Sequence, residues 1–155
     1  PHLGVELKSI PCDLRGHPSE STYVCTAPLA PGALGGWADA WVRRKLSRVL
    51  WLPLVPAGAD RVVGSPVVWS PSPDEEAVLR ADFEELVTLL ADGAVWQIDG
   101  RRGQALHLRP KAADGEPAAW AVDEDAGWVR QTARGFYLRP SFTLAILSRH
   151  LLLPE

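Results

Sequence analysis

Glu6 and Lys8 stand two residues apart in the segment Gly4-Val5-Glu6-Leu7-Lys8-Ser9-Ile10-Pro11, an otherwise mostly apolar stretch. Side chains alternate across a strand, so both point to one face, about 7 Å apart along it. A carboxylate can hold a divalent cation, and a lysine beside it can orient a water as its ammonium or deprotonate one as its neutral amine. Phosphodiester hydrolysis needs that pairing. The tripeptide alone does not separate this chemistry from a solvated pair on an edge strand.

A second lysine is out of place. Residues 36–47 read as a helix in which Ala38, Val42, Leu46 and Val49 form an apolar stripe, and Lys45 projects into the middle of it. A core-facing lysine must snorkel, pair with an acid or line a site. Trp37, Trp41, Arg44 and Arg48 follow on the neighbouring face, a spacing that suits aromatic–cation packing as well as a phosphate contact. Further along, Arg109-Pro110-Lys111 ends a strand of alternating pattern. Proline fixes the backbone there, so Arg109 leaves the sheet on a rigid stem. An arginine so presented can bond guanine O6 and N7 while Lys111 meets phosphate; a basic strand end in solvent is the plainer reading. Arg134-Gly135-Phe136-Tyr137-Leu138-Arg139 is equally ambiguous, with Tyr137 either a core ring or a base-edge contact. No histidine has metal-ligand spacing, and neither a Gly-rich phosphate loop nor a nucleophile elbow occurs.

The elements that must carry these residues are strands at 3–11 and 21–28 joined by a turn around Gly16-His17-Pro18, the helix 36–47, and a buried strand 48–56. A loop then a strand fill 61–70. Ser72 caps a helix running to Ala91, with Pro73 at its first position and a core stripe of Leu79, Phe83, Leu86 and Leu90. Residues 95–110 read as a hairpin turning at Gly100-Arg101-Arg102-Gly103, and 112–127 as an irregular acidic stretch. Ser141 caps a last helix, Phe142 to Leu152, ending before Pro154. Strands mixed with helices predict an α/β or α+β fold around a central sheet.

The 155 residues suit one domain or two small lobes sharing a core, and 46% hydrophobic with 23% charged residues is ordinary for a globular protein. No apolar run is long enough to span a membrane. Cys12 and Cys25 make neither a disulfide framework nor a four-ligand metal site, and read as packed thiols in a reducing compartment. The net charge of −3 conceals segregation: acids crowd 74–92 and 114–125, leaving 15 basic against 7 acidic residues elsewhere. A basic surface opposed to an acidic one is compatible with DNA on one side. Methionine is absent, from which the sequence is expected to begin inside a longer protein.

The Gly4–Pro11 segment, Val42-Arg43-Arg44-Lys45-Leu46 leading to Arg48-Val49-Leu50-Trp51, and Val63-Gly64-Ser65-Pro66 with Trp69-Ser70-Pro71 resemble the MutH family of DNA mismatch-repair endonucleases. So do Arg109-Pro110-Lys111-Ala112-Ala113, Arg134-Gly135-Phe136-Tyr137-Leu138 and the final Ser148-Arg149-His150. These segments run in order across nearly the whole chain. The Sau3AI-type restriction endonucleases share the domain, but the likeness to MutH is closer. The resemblance implies a restriction-endonuclease-like PD-(D/E)xK fold, a mixed central sheet flanked by helices with two lobes around a DNA cleft. Residues 1–155 would be that domain without its N-terminal segment. It further implies nicking of the unmethylated strand at hemimethylated GATC sites with Mg²⁺, Mn²⁺ being able to substitute. The partners it implies are double-stranded DNA and MutL, for a monomer in the bacterial cytoplasm.

Carried onto matching positions, Glu6 would ligate metal with the Leu7 carbonyl, Lys8 would position the attacking water, and Lys45 matches a family lysine implicated in catalysis and set against DNA. Arg109, Pro110 and Tyr137 would read the site, with Tyr137 beside the adenine whose N6-methylation is tested. Tyr23 stands at an aromatic position that contacts DNA, and Lys111 would hold phosphate. The family places a metal-binding aspartate shortly before the Glu6 strand and another acid further upstream, and this sequence has neither. The 155 residues alone are therefore expected not to nick. Two other readings stay open, a Sau3AI-like enzyme cutting both strands at GATC and a non-catalytic DNA-binding or MutL-docking module.

Overall fold

The computed structural model describes residues 4–111 and 117–151. Strand β1 (Glu6–Pro11) pairs in parallel with β3 (Val49–Ala57), and β4 (Asp60–Val63) and β5 (Val67–Trp69) pair antiparallel with β3. This mixed sheet is the one expected of a restriction-endonuclease-like fold. A second, antiparallel sheet runs in the order β2 (Thr22–Ala27), β9 (Arg134–Leu138), β6 (Leu106–Pro110). Strands β7 (Pro117–Asp123) and β8 (Gly127–Thr132) form a separate hairpin. Helices α1 (Trp41–Leu46), α2 (Pro73–Ala91) and α3 (Pro140–Leu151) complete an α+β arrangement. No helix among the described residues is long and apolar enough to cross a membrane.

The core follows the sequence periods. Ile10, Val49, Trp51 and Trp69 face inward from the mixed sheet, Leu106, Leu108, Phe136 and Leu138 from the second sheet, and Leu79, Phe83, Leu86 and Leu90 from α2. Helix α2 starts where the sequence says it should. Ser72 accepts from the Glu75 amide while the Glu75 carboxylate accepts from the Ser72 amide, and Pro73 takes the first helical position. Arg149 of α3 pairs with that same Glu75, tying the last helix to the start of α2.

Several expectations are corrected. The helix over 36–47 is broken: a 3₁₀ turn, Trp37–Asp39, is followed by extended backbone at Ala40 before α1 begins. Trp37 causes the break, because its ring is buried against Phe83 and its Nε1 donates to Glu76 at 3.2 Å. Residues 61–63 are strand β4, not loop. Residues 95–110 are no hairpin: Val95–Gln97 is a 3₁₀ turn, and β6 pairs with β9 instead. The buried Asp82 carboxylate accepts from the amides of Gln104, Ala105 and Leu106, so this loop is held by α2. Gly103, at φ +82°, lies so close that a Cβ would meet the Leu106 carbonyl oxygen at 1.9 Å. The acidic stretch contains β7 and the β7–β8 turn, where the Asp123 carboxylate accepts from the amides of Asp125 and Ala126. The last helix begins at Pro140, one residue ahead of the expected Ser141 cap. Residues 112–116, which include Ala112, Ala113, Asp114 and Glu116, and the end of the last helix at Leu152 to Pro154 lie outside the described residues.

Candidate functional site

Strand β1 is an edge strand, and its alternation sorts the expected residues. Lys8 and Ile10 are buried on the inner face with Glu6 half-buried above them, while Leu7 and Ser9 point outward. The Lys8 ammonium, its side chain 8% exposed, lies 3.6 Å from Glu6 Oε1. The Lys45 ammonium straddles both Glu6 oxygens, donating to Oε2 at 2.9 Å and to Oε1 at 3.1 Å. Lys45 therefore neither snorkels nor sits in hydrocarbon; it pairs with the strand-borne acid. One carboxylate between two ammoniums leaves a local excess of positive charge, suited to a phosphate. Burial pushes the Lys8 ammonium below the ordinary lysine range, with Glu6 acting in the opposite sense. Cys25, beside the cluster, is raised to about 11 by burial, so its thiol stays protonated and inert near neutral pH.

The aromatic–cation reading of the Trp37 face is corrected. Trp37 turns inward, and it is Lys45 that lies 5.4 Å from the centroid of the exposed Trp41 ring, not Arg44 or Arg48. Glu76 fixes this corner through Trp37 Nε1 and a 2.7 Å bond from Arg43 Nε, which together hold its carboxyl below the usual range.

Of the residues expected to meet DNA, Tyr23, Tyr137, Arg109 and Lys111 gather on one side of the second sheet, while Lys45 stays with Glu6. His107, Tyr137 and Tyr23 lie directly opposite one another across β6, β9 and β2. The Tyr23 and Tyr137 rings meet edge to face at 5.4 Å, and the His107 ring lies 6.4 Å from Tyr137 at 83°. One step along, Arg109 stands opposite Gly135. The missing side chain at Gly135 leaves room for the Tyr23 ring, since a Cβ there would lie 2.7 Å from Tyr23 Cε2. Lys111 closes the row, 5.6 Å from the Tyr23 ring and donating to Thr26 Oγ1 at 3.1 Å, with the Tyr23 hydroxyl 3.0 Å from the same oxygen. Pro110 pairs with Arg134 at the end of the ladder.

The two groups line adjacent cavities. A cavity of about 360 Å³ is lined by Glu6, Lys8, Lys45, Trp41, Cys25 and Tyr23. A second, of about 390 Å³, is lined by Leu7, Lys8, Ser21, Tyr23 and Tyr137 among others. Lys8 and Tyr23 border both cavities, so the charged cluster and the aromatic row are neighbours.

The donor set can be judged for a hard cation. In the β1–β3 ladder the Glu6 and Cys12 amides donate to Arg48 and Leu54, each at 2.9 Å. Alternate residues pair in a parallel ladder, so the Leu7 carbonyl points off the free edge. A carboxylate and a carbonyl on adjacent residues fit Mg²⁺, which keeps several waters and takes few protein ligands. Both Glu6 oxygens accept from Lys45, so a cation would have to share those oxygens with the ammonium or take its place. Among the described residues no three His, Cys, Asp or Glu side chains converge to make a fuller site.

Sequence reading passed over three contributors. Ser21 and His107 sit beside the aromatic row, with His107 Nε2 and Ser21 Oγ 3.2 Å apart. Arg139 clamps the loop before β6 by donating to the carbonyls of Gly100, Arg102 and Gly103. None carries a local signal, because each partner is distant in sequence.

The family model for the DNA mismatch repair enzyme MutH matches residues 1–82. A Serratia proteamaculans protein named DNA mismatch repair protein MutH is 47% identical over 97% of this chain and 68% of its own length. Proteins of the same name from Vibrio cholerae and Photorhabdus laumondii are 49% and 46% identical, over 96% and 98% of this chain and 69% and 68% of their own lengths.

Proposed function

This chain belongs to the MutH family of DNA mismatch-repair enzymes, and on that footing we propose that it carries the working site of an endonuclease that nicks the unmethylated strand at hemimethylated GATC sequences. The observation that carries the reading is Glu6 held between Lys8 and Lys45 in a cavity that shares Lys8 and Tyr23 with the one Tyr137 lines. Mg²⁺ or Mn²⁺, when bound at the Glu6 carboxylate and the Leu7 carbonyl, supplies Lewis-acid polarisation of the scissile phosphate. Lys8 holds the attacking water and offsets the charge that grows on the phosphoryl oxygens. Lys45, released from Glu6, neutralises a backbone phosphate. Arg109 hydrogen-bonds a guanine edge, Pro110 fixes its stem, Lys111 meets phosphate, and Tyr23 packs on the duplex.

Strand choice follows from rigidity. The Tyr137 ring is braced by Tyr23 on one side and His107 on the other. A ring that cannot move aside leaves no room for an N6-methyl group on the adenine it faces. Activation by MutL during mismatch repair, and action as a monomer, belong to the same reading.

Among the described residues the site has one carboxylate where two-carboxylate metal sites are common, so these 155 residues by themselves bind GATC duplexes without nicking them at ordinary rates. Steady Mg²⁺-dependent nicking by this polypeptide would contradict that statement. With the upstream acidic segment of a family member joined to it, nicking of hemimethylated, unmethylated and fully methylated duplexes tests the main proposal. Single-strand cuts on the unmethylated strand support it. Double-strand cuts at unmodified GATC would make it a restriction-type enzyme, and tight binding with no cut on any substrate would leave a binding module.

A further inference from the structure

His107 occupies a position that apolar packing would fill more cheaply. On β6 its neighbours Leu106 and Leu108 face the core, while His107 points to the aromatic row and is nonetheless only 4% exposed. Its buried Nδ1 makes no hydrogen bond of ordinary geometry among the described residues and has only the Gly100 backbone near it. A buried polar atom so poorly paired costs free energy, so stability alone does not account for the imidazole.

Its other contacts explain its presence. Nε2 lies 3.2 Å from Ser21 Oγ, and that same hydroxyl oxygen accepts from Arg109 Nη1 at 3.4 Å. The ring edge meets Tyr137 at 6.4 Å between centroids. One side chain thus touches Tyr137 directly and Arg109 through a single hydroxyl. Arg109 is exposed and makes no ion pair among the described residues, where Ser21 is its tether.

We propose that His107, acting through Ser21, is a positioning residue for sequence discrimination: it fixes the direction of Arg109 and the plane of Tyr137 before DNA arrives. A floppy arginine can still meet phosphate on any duplex, whereas bidentate contact with a base edge needs a fixed approach. Loss of the tether should therefore lower preference for the cognate site and leave general DNA affinity intact. This inference rests on the reading of Arg109 as a base contact.

The test is equilibrium binding, by fluorescence anisotropy without divalent metal, of a GATC duplex and of a duplex with that site scrambled. His107→Leu and Ser21→Ala should each lower the ratio of the two affinities about tenfold, with the scrambled-duplex affinity unchanged. The double variant should be no worse than either alone, because both break one chain of contacts. His107→Gln, whose amide nitrogen reaches toward Ser21 as Nε2 does, should restore most of the ratio. Equal weakening on both duplexes would mean a merely structural role and overturn the proposal, as would a wild-type ratio in Ser21→Ala, the variant that leaves the core untouched. Arg109→Ala separates the two layers. If it lowers the ratio while His107→Leu and Ser21→Ala do not, positioning fails and the reading of Arg109 stands; if it leaves the ratio unchanged, both fall.

Discussion

The Lys45 ammonium sits almost equidistant from the two oxygens of the Glu6 carboxylate, at 2.9 and 3.1 Å, the place a bound cation would take. The two residues come from α1 and β1 and are 39 positions apart. That pairing holds the carboxylate in place, and on the proposed reading Lys45 moves to phosphate once a cation binds. Lys8, deeper and nearly enclosed, has no such freedom.

If Lys45 changes partner in this way, Lys45→Ala should lose about one phosphate contact. The slope of log affinity against log salt for a GATC duplex should then shrink by about one unit, with the cognate preference retained. An unchanged slope would leave Lys45 as a fixed partner of Glu6.

Arg109 and Lys111 should separate cleanly, although they are two residues apart. Arg109→Ala should lose about 1–3 kcal/mol of discrimination at one guanine. Lys111→Ala should weaken all duplexes alike, because its ammonium is held at Thr26 and the Tyr23 ring rather than aimed along the strand. Affinities measured across a set of single-base variants of the site distinguish the two patterns.

Gly135 is the position at which the smallest change should do most. An added methyl would meet Tyr23 Cε2 at 2.7 Å and the Cys25 carbonyl oxygen at 3.2 Å. Gly135→Ala should lower stability by about 1–3 kcal/mol in a denaturant titration. It should also release the brace on Tyr137, so that methylated and unmethylated GATC duplexes bind more nearly alike. Retained methyl discrimination would show that Tyr137 does not need Tyr23.

The pH dependence of stability should carry a signature of His107. Burial, followed by the nearby Arg139 charge, lowers its pKa from the ordinary 6.5. As pH falls through that ordinary value the unfolded chain takes up a proton that the folded chain refuses, so stability falls with it. His107→Gln removes this slope. Denaturant midpoints of the two proteins should diverge between neutral and mildly acidic pH, with wild type losing more; parallel curves would count against a neutral buried imidazole.

What could be read in the sequence was what local chemistry specifies. Ser72, Pro73 and Glu75 announce α2 within four residues, and the Leu79–Phe83–Leu86–Leu90 stripe gives its buried face without any partner being known. Glu6 and Lys8 are legible because strand alternation alone puts them on one face. The break at Ala40 was not legible, because the burial of Trp37 against Phe83, 46 positions on, overrides a good helical period. Strand β7 hid for a related reason: Ala121 faces the core while Trp120 faces solvent, which inverts the usual signal. The Asp82 clasp on residues 104–106 and the Ser21–His107 contact span 22 to 86 positions, and nothing near either partner points to the other.

The central claim, that the Glu6–Lys8–Lys45 cluster performs the hydrolysis, is tested most directly by Lys8→Ala in this chain joined to the upstream acidic segment of a family member. Nicking of a hemimethylated GATC duplex in Mg²⁺ and affinity for the same duplex are measured side by side. The account predicts a fall in nicking of at least ~100-fold with affinity changed by less than about threefold. Nicking at the wild-type rate, or a loss of nicking that merely tracks a loss of binding, would contradict it.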